Sequence, residues 1–250
     1  MKEDKSQAYH YKSVAKEYDD AFLTDFEYYN WSTDLIVKSL KLKKDDILID
    51  LAGGTGFFSS FIHEKVGLNN KVICIDTCKE MIEKAKNYDN ILTMCESASL
   101  FSHKKKMKYD KIFIKEAVHH FENRTEIFTR IYNQLNINGI ICILTRPQNP
   151  EFPFFKAAIE AFEQSQPDYN IFITELKNAG FKVKMHQKLY PLKIKKGHWF
   201  ALIRKKFMSH LSQFNDEEIA EGLKELEESL FDSKTLFFND VLISIVGEKA

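Results

Sequence analysis

The chain has 250 residues, an apolar fraction of 44% and 21 Phe, enough for one large domain, or a domain with an appended lid. Lys+Arg and Asp+Glu each number 36, so the formal net charge is zero and the strongly basic footprint of a dedicated nucleic-acid binder is missing. The charged start Met1-Lys2-Glu3-Asp4-Lys5 leads into no apolar run, no stretch is long enough to span a membrane, and Cys74, Cys78, Cys95 and Cys142 form no zinc-like pair. A reduced, cytoplasmic protein without a membrane or metal partner is expected.

Residues 6 to 40 read as helices, with Tyr11, Val14, Ala15 and Tyr18 on one face and Leu35, Ile36, Val37 and Leu40 on a second. Ile47-Leu48-Ile49-Asp50-Leu51 then reads as a strand buried on both faces, interrupted by one acid. Ala52-Gly53-Gly54-Thr55-Gly56 is a turn, and Phe57, Phe58, Phe61 and Ile62 recur at helical spacing. Glycines there let the backbone approach a ligand, and the helix N-terminus offers free N–H groups and its positive dipole end. Asp50 is expected at the mouth, where it could receive hydrogen bonds or a cation. A dinucleotide turn would carry a third glycine where Phe57 and Phe58 stand, and an acid just before it suits a pyrophosphate poorly.

This stretch resembles the first motif of the class I S-adenosylmethionine-dependent methyltransferases, and Ala-Gly-Gly-Thr-Gly is similar to the variant in quinone-biosynthesis C-methyltransferases. Upstream, Val14-Ala15-Lys16-Glu17-Tyr18-Asp19 resembles the leader of small-molecule members, which implies that Tyr18 approaches the cofactor; packing on the sheet is the alternative. Downstream, Lys71 to Asp76 is a second strand ending in an acid, placed to accept ribose hydroxyls. Asp76-x-x-x-x-Met81-Ile82-x-x-Ala85-Lys86 matches the family's second motif, with a helix over Thr77 to Lys86. A third strand covers Asn90 to Met94. Where the family holds the adenine amine, the chain reads Glu96-Ser97-Ala98, so that Ser97 stands for the usual acid. The resemblance further implies cofactor contacts at Ala52, Gly53, Gly54, Gly56, Thr77, Ala98 and Lys115.

The run Lys104-Lys105-Lys106 reads as a solvated loop. The fourth strand, Tyr109 to Ile114, enters Lys115-Glu116-Ala117-Val118-His119-His120-Phe121, similar to the family's fourth motif. His119 is the candidate general base facing the reactive methyl, while a structural role for both histidines stays open. A helix over Glu126 to Leu135 is followed by the turn Asn136 to Gly139 and a fifth strand, Ile140 to Thr145. Arg146 could bind an acidic group of the substrate or form a local salt bridge.

Beyond Pro150, helices are expected to about Gln164, over Tyr169 to Ala179, over Gly197 to Leu211 and over Asp216 to Leu230. Strands are expected over Phe181 to Ile194 and Asp240 to Val246. Phe155 and Trp199 are candidate substrate contacts, with a place in the core as the reading favoured for any such aromatic.

The resemblance implies an α/β Rossmann-like fold, a seven-stranded mostly parallel sheet of order 3-2-1-4-5-7-6 with an antiparallel last strand. One domain is expected, with a leader over 1–42 and helical lid insertions over 150–170 and 195–238. It implies methyl transfer from S-adenosyl-L-methionine, released as S-adenosyl-L-homocysteine, to a nitrogen, oxygen, sulfur or carbon nucleophile of a small molecule. A monomer or homodimer is expected, without nucleic acid. An RNA- or protein-directed methyltransferase and a nicotinamide-dependent oxidoreductase are the alternatives.

Overall fold

The structure is a computed structural model that describes residues 26–104 and 106–250. Tyr18 and most of the leader lie outside the described residues. In chain order the elements are α1 (Phe26–Leu40), β1 (Leu48–Leu51), α2 (Phe57–Val66), β2 (Val72–Asp76), α3 (Lys79–Ala85), β3 (Ile91–Cys95), α4 (Ala98–Ser102) and β4 (Tyr109–Lys115). After a 3-10 turn at Val118–His120 come α5 (Arg124–Gln134), β5 (Leu135–Thr145), α6 (Lys156–Ser165), α7 (Tyr169–Asn178), β6 (Lys182–Lys195) and α8 (Lys196–Arg204). A second 3-10 turn at Ser209–Gln213, α9 (Asp216–Ser229) and β7 (Thr235–Glu248) close the chain.

The strands form one sheet of order β3-β2-β1-β4-β5-β7-β6, as the resemblance implied. Pairs β1–β2, β1–β4, β2–β3 and β4–β5 are parallel, and β7 runs antiparallel to β5 from Ile140↔Glu248 to Thr145↔Ile243. Strands covered on both faces read as continuous apolar runs. Ile49, Ile75, Ile112, Ile114, Ile141 and Ile143 accordingly have no exposed surface.

By contact density the chain divides into two compact units. The first comprises residues 26–145, 168–187 and 243–250; the second comprises 146–167 and 188–242. In the first, the apolar face of α1 is Tyr28, Ile36 and Leu40, with Ser32 and Thr33 buried alongside. In the second, Phe152, Phe154, Phe162, Trp199, Phe200, Phe207 and Leu211 make an aromatic core. There α9 opens with a capping box: the Asn215 side chain accepts from Glu218 N–H at 2.9 Å, and the Glu218 carboxylate accepts from Asn215 N–H at 2.7 Å.

Three boundaries differ from the expectations. The turn before the fifth strand is absorbed into β5, whose pairing jumps from Tyr109↔Leu135 to Lys111↔Ile140 while Asn138 takes φ 61. The helix expected over 197–211 is broken, because Lys206 adopts a left-handed φ of 52 and Phe207 N–H turns back to Leu202 O at 3.3 Å. The last strand begins at Thr235 rather than 240, its first residues being the partly exposed stretch where apolar periodicity is weak.

Candidate functional site

The site is built around the turn between β1 and α2. The N–H groups of Ala52 and Gly53 both donate to Ile75 O, at 2.7 and 3.0 Å, which ties the turn to β2. Ala52 holds φ 65, a conformation that a residue with a Cβ adopts only at a cost. Gly53 is required for space: a Cβ there would come within 2.6 Å of the Asp50 carboxyl and the Cys74 sulfur. Gly54, at φ 56, differs, because a Cβ there would have no neighbour within 4 Å. That side of the turn is open. Gly56, at φ 75, packs onto Ala85 and Ile91, and α2 begins at once with no side chain capping it.

Asp76 closes the arrangement from the carboxyl end of β2. One carboxylate oxygen accepts from Gly54 N–H at 2.9 Å and the other from Cys78 N–H at 2.8 Å. Burial raises its pKa, opposed by these bonds and by the Thr77 N–H. A carboxylate offers about four lone-pair sites, so acceptor capacity is left for a ligand.

Asp50 is not at the mouth. It is 2% exposed, lies under Gly53, and accepts from the Ser59 hydroxyl at 2.6 Å. Burial, with the neighbouring Asp76 charge, pushes its pKa up to about 7 against the Ser59 bond and the Lys115 charge. The strand is buried along its whole length, so Asp50 within it has no open face, and only the turn beyond it opens outward.

At the next strand end, Ser97 is the N-cap of α4, and its oxygen accepts from Leu100 N–H at 3.1 Å. This bond occupies the hydroxyl in a local role. The adjacent Glu96 stands at the carboxyl end of β3 as Asp76 stands at that of β2. Its N–H donates to Asp76 O at 3.0 Å, and its carboxylate pairs with Lys104 at 3.1 Å. Glu96 is an acid directly after the third strand, a signal legible in the sequence beside Ser97. Ala98 is the first residue of α4, and Thr77 O receives the Cys95 thiol at 3.8 Å.

Lys115 ends β4, paired with Glu116 at 2.8 Å, with its ammonium 4.4 Å above the Phe58 ring. His119 lies in the 3-10 turn that follows, its ring 3.9 Å from that of His120. The ring is partly exposed, but Nδ1 is buried without a hydrogen-bond partner among the described residues. Burial, then the His120 and Arg124 charges, push its pKa down to about 3. His119 is therefore uncharged at neutral pH and weakly basic, which is a correction to its expected strength as a base.

The residues put forward for the substrate belong to the second unit and are engaged inside it. Arg146 Nε and a terminal guanidinium nitrogen donate to the two Asp240 oxygens at 2.9 and 2.8 Å, with both residues buried. Of the two roles open to Arg146, the structure shows the local ion pair. Trp199 donates from its indole N–H to Pro153 O at 2.8 Å and is ringed by Phe152, Phe154, Phe207 and Phe238. Phe155 fills the space left by the missing side chain of Gly222. Both aromatics are core here, because their rings are enclosed by apolar neighbours.

A family model described as a methyltransferase domain matches residues 42–206, about two thirds of the chain. The chain belongs to this family. Among curated proteins, this methyltransferase-domain chain is similar to the protein-L-isoaspartate O-methyltransferase of Methanococcus aeolicus, 31% identical over 86 residues, or 32% of this chain and 39% of that protein. The chain thus spans about two fifths of the curated relative's length. Among solved structures, the YcgJ protein of Bacillus subtilis aligns over 88% of this chain and 98% of its own at 17% identity, with a TM-score of 0.61. Phosphoethanolamine N-methyltransferase 2 of Haemonchus contortus, solved with phosphomonomethylethanolamine and S-adenosylhomocysteine, aligns over 87% of this chain and 52% of its own at 15% identity, TM-score 0.57. At such identities the likeness establishes the fold.

Proposed function

We propose that this methyltransferase-domain protein binds S-adenosylmethionine and moves its methyl group to a small-molecule acceptor. The observation that carries the reading is Asp76, a half-buried carboxylate bonded to the N–H of Gly54 on the open side of the glycine turn. Family membership supports it, as does the S-adenosylhomocysteine held by the Haemonchus contortus structure.

The donor set fits such a cofactor. Asp76 would accept from ribose hydroxyls, with Thr77 beside it, and Glu96 would take the adenine amine, with Ser97 and Ala98 supplying backbone at the start of α4. The turn Ala52, Gly53, Gly54 and Gly56 and the uncapped start of α2 would face the carboxylate end, where free N–H groups and the helix dipole favour negative charge. Asp50 and Lys115 set the field beneath the turn. When bound, the cofactor supplies an electrophilic methyl on a sulfonium.

The chain's own part is to orient and to exclude water, since displacement at a sulfonium gains from fixed geometry and from a poorly hydrated surround. His119 enters this as a neutral imidazole near the carboxyl end of β4. A ring with a pKa of about 3 is a weak general base. The acceptor best matched to it is already nucleophilic, a neutral amine before a hydroxyl. Acceptor choice is assigned to the parts of the chain outside the β1–β4 frame.

The test is a screen with methyl-labelled S-adenosylmethionine against pooled amines, thiols, phenols and carboxylates, with an isoaspartyl peptide and transfer RNA in parallel. Label in a small molecule, with release of S-adenosylhomocysteine, is expected. Label confined to the peptide or the RNA would replace the small-molecule reading, and cofactor binding without transfer to any pool would remove the catalytic one.

A further inference from the structure

Within the second unit, strand β6 runs beside β7 along the sheet's outer edge and shows a sharp split between its two sides. Leu192 and Ile194 are buried, whereas Leu189, Pro191, Lys193 and Lys195 are exposed. Alternate residues of a strand point to opposite faces, so the exposed set shares one face. On β7, Leu236 is buried while Phe237 is 72% exposed, and the Lys193 ammonium sits 5.8 Å from the Phe237 ring, so both strands turn the same side to solvent. Leu189 is 50% exposed. Among the described residues, Lys193 and Lys195 make no ion pair. The acid on this side, Glu151, accepts from Asn239 at 2.7 Å.

We propose that this face is a docking surface for an anionic phospholipid bilayer. An aromatic ring and two aliphatic side chains standing in water, rimmed by unpaired lysines, match the boundary layer of a membrane, where apolar groups enter the acyl edge and ammonium groups stay among the phosphates. The chain's net charge of zero makes the attraction local to this face. A strand of nucleic acid would match the lysines, but it binds by stacking on successive aromatic faces, and Leu189 and Pro191 offer none. Lysine and proline along the strand also oppose pairing with a second copy's edge.

The test is co-sedimentation of the full chain with vesicles of phosphatidylcholine alone and of phosphatidylcholine and phosphatidylserine in equal parts, at low and physiological salt. Binding to the anionic vesicles, weakened by salt and absent with phosphatidylcholine alone, is expected. Each of K193E and K195E should lower the partition coefficient at least about fivefold. F237S should lower it at either salt concentration, since its part is apolar. The side chains are exposed, so cofactor affinity and the thermal midpoint should not change and serve as the folding control. No binding to anionic vesicles at low salt, or equal binding by the F237S/K193E/K195E variant with an unchanged melt, overturns the proposal. Phe237-dependent binding of a single-stranded oligouridylate without vesicle binding also overturns it.

Discussion

Two buried acids show how differently the two units treat a carboxylate. Asp240 in the second unit has no exposed surface and is gripped at both oxygens by Arg146. Asp50 in the first is as deeply buried, but it holds one hydroxyl from Ser59 and makes no ion pair among the described residues, and its pKa rises to about 7. A paired acid is finished structure. An acid buried without an ion pair holds its proton more tightly, which makes its contribution to stability depend on pH.

The largest effect expected from breaking this contrast is in the paired case. Asp240→Ala should lower the unfolding free energy by about 3–5 kcal/mol, since it leaves a buried guanidinium uncompensated. Replacing both partners, as in R146M/D240L, should recover most of that loss in a urea titration. A small loss in the single variant would mean that Arg146 finds another partner. In the unpaired case the signature is pH. A carboxyl whose folded pKa is raised binds its proton more tightly when folded, so its stabilisation is complete below about pH 4 and is lost as pH climbs through about 7. The swing is on the order of 4 kcal/mol. D50N should remove that contribution, seen as a difference in urea midpoint between variant and wild type that grows from acid to neutral buffer, while His119, with its lowered pKa, contributes with the opposite sign in both proteins.

Much of the first unit was legible. An acid ending an apolar run, a glycine turn and a second strand ending in Asp76 are local signals, and parallel strands announce themselves because both faces are buried. What escaped was decided by direction or by competition. Burial of Asp50 follows from a strand buried on both faces, while its position beneath Gly53 is fixed only by the fold of the turn. Ser97 also caps α4, a second use of the hydroxyl that its place before a helix makes common. Residue type alone suits Trp199 and Phe155 to cage or core, and their packing partners show core. The break after Arg204 depends on Lys206 entering a left-handed conformation that its residue type does not favour.

Smaller effects sharpen the account of the open turn. Ser97→Ala should cost about 1 kcal/mol of stability by loss of the cap, while leaving cofactor affinity nearly unchanged; a large affinity loss would return Ser97 to the ligand set. Glu96→Gln should weaken cofactor binding with little effect on the melt. His119 should produce no step in the turnover profile between about pH 6 and about pH 8, since its depressed pKa keeps it neutral there. A step that disappears in His119→Gln would contradict that.

The central claim is that Asp76 and the Gly54 side of the turn receive the cofactor. It is tested most directly by calorimetric titration of the wild type and of Asp76→Ala with S-adenosylmethionine, S-adenosylhomocysteine and NADH. Micromolar binding of the first two, none of the third, and a loss of about 1–3 kcal/mol in the variant are predicted. Unchanged affinity in Asp76→Ala, or binding of NADH alone, would contradict it.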